Sequence, residues 1–300
     1  MQTVKSILVP TDFSSAALNA YRYALRLADE LDAGIDLLYA MPPTVAAPGY
    51  GSFGTLSDYL VDQARRDMLA FYRKGISGEA ATLRRIPAVR TYVEIGDLRY
   101  SVRRQVERQQ NDLIVLGTPG SQGTWDDLLG TNTSVLINRA PASILIVPEA
   151  ATYRPLQNIC FATDLQGAAA FRTGNLLRSL RPLSPTVHFL HVSTGQDKAP
   201  QFDLELLREV FDRPDLGHRA TITDRRATDV TQAIFAFAGE RDCQLVVMHR
   251  PDRGWLNRLA RGSRTRDAAL HAPLPLLILT DEVVVDDSAK TPGVEVVVGS

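Results

Sequence analysis

The sequence has no excess of charge of either sign, and it has few cysteines. Lysine and arginine together number 33, and aspartate and glutamate number 34, so the net charge is −1 at pH 7. No whole-protein field attracts nucleic acid or an anionic membrane surface, and we expect neither partner. The two cysteines, Cys160 and Cys243, lie in apolar, strand-like runs. Their setting predicts buried, reduced thiols rather than a disulfide or a catalytic centre.

Long apolar runs are missing as well. No stretch approaches the roughly 18–20 consecutive apolar residues that cross a bilayer. The first residues, MQTVKSILVPTDF, have neither a basic start nor a long apolar segment with a cleavage site, so we expect a cytoplasmic protein. Because 45% of the residues are hydrophobic and 22% are charged, the chain can still build globular domains with apolar cores.

Familiar catalytic and metal-binding motifs are also absent. The sequence contains no Gly-x-Ser-x-Gly, no His-Glu-x-x-His and no Cys/His pairing with a third member. His188 and His191 are three residues apart on a predicted strand, so they point to opposite faces and predict no metal site. These absences favour a binding protein over an enzyme.

The most informative feature that is present is an internal repeat. Residues 5–13 (KSILVPTDF) align with 157–165 (QNICFATDL) at a shift of 152. Residues 112–117 (DLIVLG) align with 244–249 (QLVVMH) at a shift of 132, and the same shift aligns PASILIV with PLPLLIL. A tandem duplication of one domain of roughly 140 residues explains this pattern.

The repeat divides the chain into three parts. We assign lobe 1 to residues 1–150, lobe 2 to residues 151–282 and a C-terminal tail to residues 283–300. The tail has two valine-rich runs, which predict an extra edge strand. A frayed terminus is the alternative.

Lobe 1 alternates short aliphatic runs with amphipathic segments of helix length. Ser14 or Ser15 is the predicted N-cap of the first helix, and Gly34 is its predicted end. Further helices are predicted near 57–74, 97–110 and 132–139. The predicted strands are Ile7–Val9, Ile35–Ala40, Thr91–Ile95, Leu113–Leu116 and Ile144–Val147.

This alternation predicts an α/β fold. Strands that are apolar along most of their length and separated by helices form a parallel sheet covered on both faces. We therefore expect two similar, doubly wound, Rossmann-like domains in tandem. The last strand of each lobe, Ile144–Val147 or Leu276–Leu279, is an apolar edge, so we expect these two strands to pair and form a pseudo-dimer within the chain.

A glycine pattern follows the fourth predicted strand. The sequence Gly117-Thr118-Pro119-Gly120 is followed, after nine residues, by Gly130-Thr131-Asn132-Thr133. The first two glycines permit a tight turn and close approach to a ligand, and Gly130-Thr131 opens a predicted helix whose free N–H groups attract phosphate. Pro10-Thr11-Asp12 ends the neighbouring first strand on the same edge of the sheet. Together these pieces predict a nucleotide site.

The chain resembles the universal stress protein family in its tandem form. The resemblance rests on ILVPTDFS at 7–14, DLIVLGTPG at 112–120 and LLGTNTSVLINRAPASILIVP at 128–148, with weaker matches at 163–165 and 262–265. It implies an adenine nucleotide alpha hydrolase-like fold and ATP, with Mg²⁺ as a candidate companion ion. It also implies a stress-response or signalling role. We expect at most slow ATP hydrolysis, because the sequence shows no lysine, arginine finger or water-orienting base beside the glycine pattern.

The resemblance also implies a set of ligand-binding residues. It places the phosphates among Gly117, Gly120, Gly130, Thr131, Asn132 and Thr133. It places the adenine and ribose near Asp12, Ala40 and Leu116. Pro10, Thr11 and Thr118 complete the predicted site. The alternatives remain that Gly117 and Gly120 serve only a turn, and that Asp12 and Thr131 only cap their helices.

Lobe 2 keeps the predicted fold but not the predicted site. His249 and Asp252 stand at the positions of Gly117 and Gly120, so nucleotide binding there is not expected. Six arginines fall between 250 and 266, which predicts a solvated helix face or, alternatively, a remodelled anion or partner site. The competing hypothesis for the whole chain is therefore a nucleotide-independent scaffold that holds an unidentified protein partner. A homodimer is a further expectation.

Overall fold

The computed structural model describes residues 4–42, 53–119, 136, 140–163, 180–194, 219–249 and 274–280. Within them lie ten strands and four helices of two turns or more. The helices are α1 (Ser15–Leu31), α2 (Phe53–Glu79), α3 (Leu98–Gln109) and α4 (Val230–Glu240). The strands of lobe 1 are β1 (Ser6–Pro10), β2 (Gly34–Met41), β3 (Val89–Ile95), β4 (Leu113–Thr118) and β5 (Ser143–Pro148). Those of lobe 2 are β6 (Asn158–Thr163), β7 (Thr186–Ser193), β8 (Arg219–Arg226), β9 (Leu245–His249) and β10 (Leu276–Leu279).

The first helix begins and ends through specific side-chain and backbone contacts. The Ser14 hydroxyl accepts a hydrogen bond from the amide of Ala17 at 3.2 Å, so the predicted N-cap at Ser14 is confirmed. The predicted end at Gly34 is wrong. Asp32 adopts the left-handed conformation with φ of 57° and ends the helix, and Gly34 is the first residue of β2.

All ten strands form one sheet in the order β3-β2-β1-β4-β5-β10-β9-β6-β7-β8. Within each lobe every pair of neighbouring strands is parallel. The expected doubly wound, parallel-sheet fold is therefore confirmed for the two halves of the chain. The order also means that β1 lies between β2 and β4, so the carboxyl ends of these three strands meet at one edge.

The two halves join through their last strands. Strands β5 and β10 pair antiparallel, with Leu145 opposite Leu277 and Ile146 opposite Leu276. The predicted pairing of these two strands within the chain is confirmed. Because the junction is antiparallel, the carboxyl ends of the lobe 1 strands and of the lobe 2 strands lie at opposite edges of the sheet.

Apolar side chains bury both faces of the sheet. One face, here called the α1 face, packs β1 residues such as Ile7 and Val9 against α1 and α2. The opposite face, the α3 face, packs Leu8 and its neighbours against α3, α4 and Leu136. Side chains alternate between the faces along each strand, so a residue's position in its strand decides which face it serves. Among the described residues, no helix is long and apolar enough to cross a membrane.

Candidate functional site

The described residues of the predicted nucleotide site lie together at the carboxyl edge of lobe 1. Pro10 ends β1, Ala40 lies near the end of β2, and Thr118 ends β4. Since these strands are neighbours in the sheet, the structure brings the three positions to one edge. Doubly wound folds bind ligands at this edge.

The predicted residues divide between the two faces of the sheet. Leu116 belongs to the apolar cluster of the α3 face, and Thr118 lies two residues further along the same strand. Ala40 lies two residues after Leu38, which packs in the same cluster. Thr11 and Gly117 are each one residue away from the positions that face α3, so they lie towards the α1 face of the sheet. Ala40, Leu116, Thr118 and Pro10 therefore form the group that can share one ligand surface.

Side-chain bonds to the backbone shape the turn after β1. The Thr11 hydroxyl accepts a hydrogen bond from the amide of Phe13 at 2.9 Å, and Phe13 has a positive φ of 65°. A carboxylate oxygen of Asp12 accepts a hydrogen bond from the amide of Ser14 at 3.0 Å. The N-cap of α1 is Ser14, so the alternative in which Asp12 only caps this helix is wrong. The Asp12 carboxylate stays exposed at the carboxyl edge of the sheet.

Gly117 has a packing role that the sequence did not indicate. It lies inside β4 rather than in a turn, so the predicted turn at this residue is wrong. A Cβ at position 117 would overlap the backbone carbonyl of Ala16 and lie 2.8 Å from the amide nitrogen of Ala17. The glycine therefore allows the first turn of α1 to pack directly on β4, at the edge where the predicted site lies.

Thr118 carries an unsatisfied polar atom in this region. Its side chain is fully buried, and its hydroxyl oxygen has no hydrogen-bond partner among the residues that the structure describes. The backbone of the same residue is satisfied, since its carbonyl accepts a hydrogen bond from the amide of Glu149 at 3.0 Å. A buried hydroxyl without a partner costs free energy and is a position where a bound ligand can supply the missing bond.

Several predicted positions lie outside the described residues. These are Gly120, Gly130, Thr131, Asn132 and Thr133 of the glycine pattern, the arginines from 250 to 266, and the tail from 283 to 300. Their assignments stay predictions.

The cysteines have the environment that was predicted. Cys160 and Cys243 are both free and buried. Burial raises the pKa of both thiols, that of Cys243 to about 12. Thiols with a raised pKa are not reactive as thiolates at neutral pH. Within the described ranges no group of three or more metal-ligating side chains is present.

The sequence did not reveal a pairing of His191 with Asp224 in lobe 2. The Nδ1 atom of His191 lies 2.9 Å from a carboxylate oxygen of Asp224 on the neighbouring strand. Only the strand register could have predicted this contact, because the two residues are far apart in the chain and belong to no motif.

Comparisons with known proteins give a consistent result. The model of the universal stress protein family matches the chain twice, over residues 3–148 and 156–280. A universal stress protein of Methanocaldococcus jannaschii is 29% identical over 149 residues, which are 48% of this chain and 81% of that protein.

Solved structures show the same likeness. A universal stress protein from Archaeoglobus fulgidus aligns with a TM-score of 0.70 at 17% identity, covering 93% of this chain and 99% of that one. Another universal stress protein, solved in complex with cAMP, aligns at 20% identity and a TM-score of 0.35 over 49% of this chain and 98% of that one. A score this low gives no evidence about what the present chain binds. The two matches to the family model span most of the sequence, and the chain therefore belongs to the universal stress protein family, in tandem form.

Proposed function

We propose that lobe 1 binds one adenine nucleotide, ATP, at the carboxyl ends of β1, β2 and β4. In this proposal the protein is a cytoplasmic stress-response protein that acts through nucleotide binding, with Mg²⁺ as a companion of the phosphates. Ala40, Leu116 and Asp12 would contact the adenine and ribose, and the part of the glycine pattern that follows Gly117, from Thr118 to Thr133, would surround the phosphates.

The observation that carries the proposal is the buried hydroxyl of Thr118. It has no hydrogen-bond partner in the described part of the chain, and it lies within the glycine pattern at the carboxyl edge of the sheet. A phosphate or ribose oxygen placed there would supply the missing partner. The position therefore joins a sequence motif for phosphate binding to a polar atom that the protein itself leaves unsatisfied.

Lobe 2 offers no equivalent site among its described residues. His249 stands where lobe 1 has Gly117, and its ring contacts Phe161 at 5.9 Å between centroids. In lobe 1 the same position is the glycine that lies against the backbone of α1, so the two lobes differ at the end of this strand. The proposal therefore assigns one nucleotide to each chain.

Substitution of Thr118 by valine tests the proposal. Valine keeps the shape and removes the hydroxyl, so we expect the stability without nucleotide to stay the same or rise, because an unsatisfied polar atom is lost. We expect the ATP affinity, measured by calorimetry, to fall by about tenfold. Thr91→Val, on β3 and five residues before Gly96, is the matched control and should leave the affinity unchanged. Equal ATP affinity in Thr118→Val and the wild type would contradict the proposal.

The competing function is a scaffold that works without nucleotide. Among the described strands, β3 and β8 are the outermost of the sheet, and their backbone edges are where a partner protein could extend the sheet or where two copies of this chain could join as a homodimer. Mass spectrometry of small molecules released from freshly purified, heat-denatured protein separates the two functions. An adenine nucleotide near one equivalent per chain supports binding, and its absence together with no measurable ATP affinity supports the scaffold.

A further inference from the structure

Strand β3 is the outermost strand of lobe 1 among the described strands, and within them it pairs only with β2. The amide of Gly96 donates a hydrogen bond to the carbonyl of Met41 at 2.9 Å. The carbonyl of Ala88 accepts one from the amide of Ile35 at 2.8 Å. Backbone groups alternate in direction along a strand, so the odd-numbered residues of β3 direct their amides and carbonyls outward. An edge of this kind can pair with a further strand.

Large apolar side chains are exposed at both ends of β3. Ile95, the last residue of the strand, is 54% exposed, and Tyr100, in the first turn of α3, is 59% exposed. Ile86, which precedes the strand, is 51% exposed. These are three of the four large apolar side chains that are exposed in the described part of the chain. Their grouping around one edge strand indicates an interaction surface.

The charges of β3 are complementary to those of a second copy of the same strand. When two copies pair antiparallel with Tyr92 at the centre, Arg90 of each stands opposite Glu94 of the other. In its own chain Arg90 forms a 2.7 Å ion pair with Asp36. Glu94 lies 3.7 Å from Arg108. Both contacts would be retained in the dimer, where each of them meets a group of opposite charge rather than a like one.

The remaining residues of β3 match in the same arrangement. Val89 stands opposite Ile95, and Thr91 stands opposite Val93, so each outward-facing residue meets another outward-facing residue. An antiparallel ladder forms its hydrogen bonds between such pairs. All four side chains lie on the α1 face, where Val89 and Val93 pack against the core. The antiparallel direction also brings Ile95 of one copy to the end of β3 at which the other copy exposes Ile86.

We propose that two copies of this chain pair antiparallel through β3, with Tyr92 on the two-fold axis, and continue the sheet from one chain into the next. A second copy is the occupant that fits this edge, because each copy supplies both the basic and the acidic member of every pair. The interface lies at the opposite edge of lobe 1 from β5, which forms the junction within the chain. It does not depend on the proposed nucleotide site.

The outermost described strand of lobe 2, β8, does not fit a second copy of itself. Its sequence, RATITDRR, has three arginines and one aspartate, which gives a net charge of +2. Two copies of β8 would therefore repel each other, whereas β3 has one arginine and one glutamate and is neutral. Strand β8 supplies the matched control for variants of β3.

Sedimentation analysis of the full chain without nucleotide measures the dimer. We expect a reversible dimer with a dissociation constant below about 1 mM. Thr91→Pro removes an outward-facing amide, which an edge strand tolerates, and should raise the dissociation constant at least about tenfold. Ala220→Pro makes the same change on β8, where Arg219 donates inward to Pro185 and the amide of Ala220 therefore points outward. This control should leave the dissociation constant unchanged.

Disulfide cross-linking tests the register. Residues opposite each other have Cα atoms about 5.5 Å apart, so a mixture of Thr91→Cys and Val93→Cys chains should cross-link when oxidised with glutathione disulfide. Neither variant should cross-link alone, because two copies of one position are then offset along the strands and too far apart. The native cysteines do not compete, since Cys160 and Cys243 are buried and burial raises the pKa of both thiols.

Ile95→Lys provides a test that does not depend on the folding of a proline variant. The side chain is exposed in the single chain, and the lysine would stand beside Val89 of the second copy, so the dissociation constant should again rise at least about tenfold. The proposal is overturned if the full chain stays monomeric at about 1 mM, or if Ile95→Lys leaves the dimer unchanged. It is also overturned if Thr91→Pro and Ala220→Pro have equal effects, or if a single cysteine variant cross-links better than the mixture.

Discussion

Two glycines of lobe 1 differ sharply in what a methyl group would meet. At Gly117 a Cβ would overlap the backbone of α1 at Ala16, which cannot move without displacing the helix. At Gly34, the first residue of β2, a Cβ would meet the carbonyl oxygen of Ala88 at 3.6 Å, an ordinary contact. Substitution by alanine at each of the two positions therefore shows whether the glycine is required for packing or only adds flexibility to the chain.

We predict that Gly117→Ala destabilises the protein by about 2 kcal/mol or more, because the added methyl group separates β4 from α1. Gly34→Ala should change the free energy of unfolding by less than about 1 kcal/mol. Denaturant titration without nucleotide measures both values. Comparable stabilities for the two variants would mean that Gly117 is not required for the packing of α1.

A buried histidine gives the stability of lobe 2 a dependence on pH. The two ring nitrogens of His188 lie 2.7 Å from the Thr221 hydroxyl and 3.2 Å from the side-chain oxygen of Asn158. Burial, and to a lesser extent Arg241, lower the pKa of His188 below 6.5. Lobe 1 has Asp36 at the corresponding position, where Arg90 forms a 2.7 Å ion pair with it.

The lowered pKa predicts a loss of stability in acid. Below about pH 6.5 the unfolded chain binds a proton at this histidine more readily than the folded chain does, so folding weakens as the pH falls. The loss is complete once the pH is below the folded pKa. Urea titrations from pH 7.5 to 5 should show a smaller decline in the free energy of unfolding for His188→Gln than for the wild type. The control His191→Gln retains His188, so its decline should include the same contribution from His188 as that of the wild type. A decline that is equally steep in His188→Gln would refute this assignment.

At the scale of whole elements, the sequence predicted the positions of the strands better than the face of the sheet on which each side chain lies. Every predicted strand of lobe 1 was found, but β4 extends past Leu116 to Thr118 and so includes Gly117. The alternation that assigns Thr118 to one face and Gly117 to the other was not visible in the sequence. Both faces of a covered parallel sheet are apolar, so the pattern of residue types does not distinguish them.

The contacts between helices could not be predicted from the sequence either. Helix α2 packs on α1 because Gly75 leaves room for the ring of Tyr21, which a Cβ would overlap. Gly78, one turn later, lies against the guanidinium of Arg22, whose nearest atom is 2.7 Å from where a Cβ would lie. Periodicity identified the helices, but pairing across the lobe depends on which side chains meet in space.

We predict opposite effects for these two glycines of α2. Alanine is the better helix former by about 1 kcal/mol, so Gly78→Ala should be neutral or stabilising, since the half-buried Arg22 has a long, flexible side chain that can move aside. Gly75→Ala should instead destabilise by about 1–3 kcal/mol, because the buried ring of Tyr21 has no room to move. Thermal unfolding of both variants measures the difference. A more stable Gly75→Ala variant would show that the two helices are not packed as described.

At the scale of the whole molecule, the antiparallel junction of β5 and β10 makes one sheet from two copies of a domain. The copies have diverged at their carboxyl edges. Lobe 1 keeps the glycine pattern and Thr118, whose hydroxyl has no partner among the described residues, whereas lobe 2 has His249 in place of Gly117 and a contact between His191 and Asp224. Because the junction is antiparallel, these two carboxyl edges lie at opposite edges of the sheet.

The claim that one nucleotide binds, in lobe 1, is tested most directly by calorimetric titration of ATP into a pair of variants at equivalent positions. Gly130→Asp places a carboxylate where the phosphates should lie, and Gly262→Asp makes the same change in lobe 2, at the shift of 132. We expect about one ATP per wild-type chain, no measurable binding in Gly130→Asp, and unchanged binding in Gly262→Asp. Unchanged ATP affinity in Gly130→Asp would contradict it.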